Sequence, residues 1–200
     1  MRPVRREEIV DYETYSEGRE AFRARVLAVK RPRRVHLGEH LTLLFENPLT
    51  IRYQIQEMLR AERIVREADI RHEIETYNEI LGGDGALGVT LLIEIDDPEA
   101  RAVKLREWWA LPERLSLELE DGTRVAARFD PRQRGDGRVS SVQYLRFDVG
   151  GRVPVAVGVD LPGLDGAVRL TAEQRRALGE DLAGGEPPQA ATSRAPRTPS

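Results

Sequence analysis

The residue types best suited to chemistry are concentrated in Arg52-Tyr53-Gln54-Ile55-Gln56-Glu57-Met58-Leu59-Arg60-Ala61-Glu62-Arg63, a stretch denser in hydrogen-bonding groups than core packing requires. Arg52, Gln56, Arg60 and Arg63 recur at three- and four-residue steps, so on a helix they align as an anion-binding edge. Glu57 falls nearer the apolar stripe of the same helix, where a buried carboxylate needs a partner such as an arginine of this helix or the first one. A buried carboxylate with a raised pKa can act as a general base. The ligand-binding set read from this spacing is Arg52, Gln56, Glu57 and Arg60. The plain alternative is a solvated helix face carrying pairs such as Gln56–Arg60 and Glu62–Arg66, each worth about 0.2–0.5 kcal/mol.

Metal chemistry is a second reading. His36, His40 and His72 are the only histidines, and two of them with Glu57 or Glu73 would suit Zn, Mn or Fe. His36 and His40 flank Gly38 in a turn, so their spacing does not guarantee a shared face. Asp69-x-x-His72 resembles half of the Glu-x-x-His pairs of di-iron bundles, but the second pair is missing. No cofactor is therefore assigned, with a divalent metal held by His36, His40, His72 and Glu57 as the alternative. A metal-dependent enzyme is the corresponding alternative function.

Other motifs are weaker. Lys30-Arg31-Pro32-Arg33-Arg34, with Arg19, Arg23 and Arg25 upstream, offers phosphates a basic patch, yet the formal charge is -3 and no stacking platform accompanies it. Nucleic-acid binding is the least favoured function. Gly82-Gly83-Asp84-Gly85-Ala86-Leu87-Gly88 lacks the lysine and Ser/Thr of a phosphate loop and stands between a helix and a strand, the reverse of a dinucleotide loop. Ser140 and Ser141 have no nucleophile-elbow context. Cysteine is absent, which excludes disulfides, thiolate nucleophiles and Cys-ligated clusters within the chain.

The elements that must position these residues are legible as an α+β pattern. The 200 residues suit a single domain over 1–183, with a mainly helical part at 7–81, a mainly sheet part at 86–183, and a Pro/Ala/Ser/Thr-rich tail at 184–200 read as disordered. Helical spacing runs from 7 to 30, with Gly18 as a break and Pro32 as a stop. An apolar strand at 41–46 precedes Asn47-Pro48, a helix cap and first-turn proline. Ile51, Ile55, Met58/Leu59, Glu62 and Val65 form the stripe of that helix, and Asp69 caps a second one. Val89 to Ile95 reads as a strand buried on both faces, and Pro98 opens a short helix ending near Trp109.

The next hairpin has an arguable register. A three-residue loop, Glu120-Asp121-Gly122 with Gly122 left-handed, pairs Leu117 with Val125 and Leu119 with Thr123, keeping the apolar set together. Residues 130–138 read as a mobile polar loop, strands follow at 139–148, 153–159 and 167–170, and Thr171 caps a last helix. The expected fold is α+β: N-terminal helices packed on a mixed, mainly antiparallel sheet of five or six strands, with 41–46 at its edge. No apolar run approaches 18 residues and the N-terminus lacks a secretory apolar segment, so the expected compartment is the cytoplasm with no membrane contact. The Trp108-Trp109 region and the exposed side of the long helix suggest a homo-oligomer.

The run from His40 to Asn47, followed by Thr50-Ile51-Arg52-Tyr53-Gln54-Ile55-Gln56-Glu57-Met58-Leu59-Arg60, resembles an uncharacterised bacterial family known only as a domain of unknown function. The likeness continues through Glu75-Thr76-Tyr77-Asn78, Ser140 to Phe147 and Val157 to Asp160. Genes of that family often neighbour those of rubrerythrin-like and iron–sulfur proteins. The resemblance thus implies an accessory role around redox or oxidative-stress chemistry, with a redox protein as partner. It assigns no catalytic residue and adds weight to the Arg52–Arg60 segment as a small-ligand or anion site.

Overall fold

The computed structural model of the protein describes residues 1–184. Its first helix, α1 (Tyr12–Lys30), begins later than the spacing implies because Asp11 accepts hydrogen bonds from the Glu13 and Thr14 amides. Gly18 lies inside α1 without breaking it. A 3₁₀ turn at Arg31–Arg33, set by Pro32, leads into β1 (Arg34–Leu37), a strand additional to those expected. Then come β2 (Leu41–Phe45), α2 (Pro48–Ala61), α3 (Glu67–Asn78), β3 (Leu87–Ile93), α4 (Pro98–Glu107) and the short α5 (Leu111–Arg114). The rest comprises β4 (Leu115–Glu118), β5 (Arg124–Ala126), β6 (Arg128–Phe129), β7 (Arg134–Gly135), β8 (Arg138–Val139), β9 (Val142–Phe147), β10 (Ala156–Val159), β11 (Gly166–Arg169) and α6 (Ala172–Leu182). The tail read as disordered lies, past Gly184, outside the described residues.

The α+β architecture holds, with every strand pairing antiparallel and the strands divided between two main sheets. One sheet has the order β1-β2-β3-β9-β6, the other β11-β10-β4-β5, and β7-β8 form a separate small ladder. Ala127, between β5 and β6, hands the chain from the second sheet to the first, and β1 touches β11 on the opposite side. The inward residues of both sheets, among them Phe45, Leu91, Phe147, Leu117 and Val157, make one core. Strand β2 is not an edge: it is flanked by β1 and β3 because residues 34–37 supply the outer strand.

A second core lies among the helices. Asn47 and Thr50 form a reciprocal capping box with Pro48 in the first turn, which fixes where α2 starts. Ile51, Ile55 and Leu59 then bury one stripe against Ile70 and Ile74 of α3. Helix α2 stops at Ala61, and Arg63 takes φ +51°, so the break falls at residues 62–66 rather than at Asp69. Glu62 and Val65, past that end, are exposed.

The hairpin takes the argued register: Leu117 pairs with Val125, the Leu119 amide donates to the Thr123 carbonyl at 2.8 Å, and Gly122 has φ +83°. The stretch 130–138 is not a featureless loop. It forms a 3₁₀ turn and the β7–β8 ladder, because Arg134 stacks over Phe129 and Trp109 and pairs with Glu113 at 2.9 Å. Trp108 is buried, whereas Trp109 is 40% exposed.

Candidate functional site

The polar residues of α2 divide between two faces. On the face toward α1, Glu57 accepts from Tyr15 Oη at 2.6 Å and from Arg19 Nε and Nη2 at 2.8 and 2.9 Å. Arg60 adds a contact at 3.6 Å. Hydrogen bonds from Arg19, and then from Tyr15, hold the Glu57 carboxyl down at about 2. That is the opposite of what a general base requires, because the carboxylate is a weak base at neutral pH. Gln56 is buried and exchanges both hydrogen bonds of its amide with the Val10 backbone, at 2.9 and 3.0 Å, clamping the N-terminal segment. Arg52 lies over the Phe22 ring at 5.2 Å, and burial lowers its pKa. The Nε atoms of Arg25, Arg52 and Arg60 are buried without hydrogen-bond partners. Arg52, Gln56, Glu57 and Arg60 thus surround the α1–α2 contact.

The other face holds a residue that sequence reasoning passed over. Glu46, directly after β2, is fully buried. Its Oε1 accepts from Thr90 Oγ1 at 2.6 Å and Gln54 Nε2 at 2.8 Å, and its Oε2 from Thr50 Oγ1 at 2.5 Å. All three donors are neutral, an unusual setting for a carboxylate withdrawn from water. Two spacings carried the signal. Thr42, Leu44 and Glu46 alternate onto one face of the strand, and Glu46, Thr50 and Gln54 follow four-residue steps on the ensuing helix. Asn47, beside it, donates to Asp181 at 3.2 Å, and Asp181 receives Arg33 bidentately at 2.7 and 2.9 Å.

The same α2 face continues to Met58, where a groove of about 540 Å³ opens between α3 and the outer face of β6 and β9. This falls within the roughly 300–1,000 Å³ range of small-ligand sites. Met58, Tyr77, Ile80, Phe129 and Tyr144 give it apolar walls, and Glu73, Arg128, Gln133 and Arg146 a polar rim. Gln133 braces one wall by exchanging hydrogen bonds with the Tyr144 amide and carbonyl, at 2.6 and 3.0 Å. Burial raises the pKa of both phenols, helped at Tyr144 by Glu46 and at Tyr77 by Tyr144 and Glu73. Both therefore remain protonated donors at neutral pH.

The histidines do not join either arrangement. His36 Nδ1 lies 2.9 Å from Thr42 Oγ1, which also donates to Glu94 at 2.5 Å. His40 lies beside the Trp108 ring, and His72 is exposed on α3. Among the described residues, no group of three or more His, Cys, Asp or Glu side chains is placed to hold a metal ion. The set His36, His40, His72 and Glu57 therefore does not fit a metal, and Glu57 is already occupied by Arg19 and Tyr15. In the basic run, Arg33 is buried against Asp181 and Arg31 pairs with Glu173 at 3.3 Å, which reduces the free positive charge. Among the described residues, no helix is long and apolar enough to cross a membrane.

A crystal structure described as a novel protein of unknown function from Burkholderia pseudomallei K96243 is similar to this chain, with a TM-score of 0.84 and 32% identity. The similarity covers 90% of this chain and all of that one. No functionally curated protein matches the chain. The chain belongs to the bacterial family described as protein of unknown function (DUF3501), which it matches over residues 3–182.

Proposed function

We propose that the protein is a small-ligand-binding accessory protein whose groove between α3 and β6/β9 takes an organic acid with an apolar or aromatic body. The observation that carries this reading is the groove itself, in which the Tyr77 and Tyr144 rings line a cavity rimmed by Arg128 and Arg146. Arg146 pairs with Asp148 at 2.7 Å and Arg128 with the same carboxylate at 3.1 Å, so an incoming carboxylate competes for guanidinium groups that are already oriented. Thermal-shift and calorimetric titration with aromatic and aliphatic carboxylates tests this. Binding should be saturable and weakened by Tyr144→Ala. Absence of binding across the panel, or binding indifferent to Tyr144→Ala, overturns it.

A second reading keeps an inorganic or small anion on Arg52 and Arg60, favoured by their buried, unpartnered Nε atoms. Phosphate titration against Arg52→Ala separates it from the groove. The redox or oxidative-stress association rests on the family resemblance, and co-purification with a tagged chain tests for a redox protein partner. A homo-oligomer through Val103 and Trp109, 49% and 40% exposed, completes the proposal and is read by light scattering.

A further inference from the structure

A second cavity, of about 320 Å³, lies between α4 and the β7–β8 ladder, and its chemistry is unlike that of the groove. Buried Leu105 and Val139 give it a small apolar floor, and among the described residues no aromatic ring lines it. Arg101 faces it from α4 and Arg138 from β8, against one carboxylate of the described lining, Asp136. Arg101 is oriented by a hydrogen bond from Nη1 to the Ile95 carbonyl at 3.0 Å and forms no ion pair among the described residues. Arg138 has no side-chain hydrogen bond or ion pair among them. Arg132 and Arg134 of the same segment, by contrast, are paired with Asp130 and Glu113. Two serines complete the lining. Ser140 Oγ accepts from the Val142 amide at 3.3 Å, which leaves its proton to donate. The Ser141 hydroxyl has no partner among the described residues. Their backbone is fixed, because buried Gln143 donates to the Ser140 carbonyl at 3.0 Å and the Ile93 amide to the Ser141 carbonyl at 2.8 Å.

We propose that this cavity binds a small phosphate monoester through its phosphate group. Such a group carries close to two negative charges at neutral pH and presents three accepting oxygens. Two guanidinium groups and two hydroxyls, facing one cavity from α4 and from the β8–β9 segment, match a tetrahedral group. A planar carboxylate is already satisfied by a single guanidinium fork and leaves the other donors idle. The rest of the ligand is compact and hydroxylated. The volume lies near the lower end of the roughly 300–1,000 Å³ range of small-ligand sites, and the described lining offers no ring to stack on. Gln133 borders both this cavity and the groove, but the guanidinium groups are separate: Arg101 and Arg138 here, Arg128 and Arg146 there. Either site can therefore fail without the other.

The test titrates the full chain calorimetrically, at low ionic strength, with glycerol 3-phosphate, inorganic phosphate and acetate. Glycerol 3-phosphate should bind one to one and acetate should not compete with it. Inorganic phosphate should bind more weakly; equal affinity overturns the monoester in favour of the free ion. Arg138 is exposed, so Arg138→Ala should fold normally and weaken the ester about tenfold or more, the loss expected of a charge-assisted contact. Arg101→Ala should weaken it to a similar degree. Asp136→Asn, at a φ of +52° that Asn also tolerates, should tighten binding by about threefold because the opposing charge is gone. Equal or weaker binding there overturns the charge assignment. No ester binding, or an affinity untouched by both arginine changes, overturns the proposal. So does an affinity that falls with Arg146→Ala in place of Arg138→Ala, which would seat the phosphate in the groove.

Discussion

Thr90 and Tyr144 stand directly opposite each other across β3 and β9, and this pair joins a buried carboxylate to an open groove. Thr90 donates to Glu46 on one side, while Tyr144 forms a wall of the groove on the other. The two features therefore share one patch of sheet, and a change at Glu46 is felt at Tyr144.

The first prediction follows from that link. Glu46 only accepts hydrogen bonds, so Glu46→Gln places an amide donor among Thr50, Gln54 and Thr90. Thr50 can relieve part of the conflict by turning its hydroxyl proton to the Asn47 carbonyl at 3.0 Å. The expected cost is about 1–3 kcal/mol, seen as a lower urea midpoint at unchanged slope. Tyr144 should also ionise at lower pH, because the carboxylate that raises its pKa is gone. Unchanged stability with an unchanged phenol titration would contradict the Glu46–Tyr144 link.

Arg33 and Asp181 give the second. Both are almost fully buried, and they tie the turn after α1 to the last turn of α6 across 148 residues of sequence. Asp181→Ala strands a buried guanidinium and removes the acceptor of Asn47, so a loss of about 3–5 kcal/mol is expected. Replacing both partners by apolar residues, Arg33→Met with Asp181→Leu, should cost much less than the sum of the single changes. Additive losses in denaturant melts would mean that the pair does not act as a unit.

How much of this was legible in sequence depended on range. The Asn47 cap, the Thr171 capping box and the Leu117–Val125 register were readable because each is decided within a few residues. Glu46 was only partly legible: its four-residue steps to Thr50 and Gln54 lie in the sequence, but its third donor, Thr90, comes from a strand 44 residues away. The division into two sheets likewise depends on Ala127 crossing between them, which alternation alone does not reveal. The α2 motif was located by its polar density, but density could not tell which groups face α1 and which face the sheet. Gln56, read as a ligand-site residue, has its amide on the Val10 backbone, while Met58, read as part of the apolar stripe, lines the groove.

The third prediction concerns acid. Glu57 titrates at about 2 in the folded chain against an ordinary value of 4.5, so the unfolded chain binds the proton more tightly. Its contribution to stability is complete above about pH 4.5, shrinks as pH falls through about 2, and is absent below. Solvent screening limits it to about 1–2 kcal/mol. Glu8 and Glu67 are shifted in the same direction, so the measurement is a difference between curves. Glu57→Gln should be less stable than wild type at pH 7, and the two should converge towards pH 2. Parallel curves would show that Glu57 is not the coupled group.

The last prediction contrasts two glycines. A Cβ on Gly88 would meet the Ile80 carbonyl oxygen at 1.8 Å and the Gly82 amide nitrogen at 2.9 Å, both backbone atoms. No rotamer change relieves that contact, so Gly88→Ala must push the Ile80–Gly82 turn away from β3. Ile80 lines the groove, and the Gly88 carbonyl accepts from the Glu46 amide at 2.9 Å, so the displacement reaches both features. A loss of about 3 kcal/mol or more, or failure to fold, is expected. Gly18, within α1, has no atom within 4 Å of the same added carbon. There Gly18→Ala should stabilise the chain by up to about 1 kcal/mol through helix propensity and reduced freedom of the unfolded state. Thermal melts of the two variants should therefore move in opposite directions. A Gly88→Ala protein as stable as wild type would show that the Ile80–Gly82 turn is not packed against β3 as described.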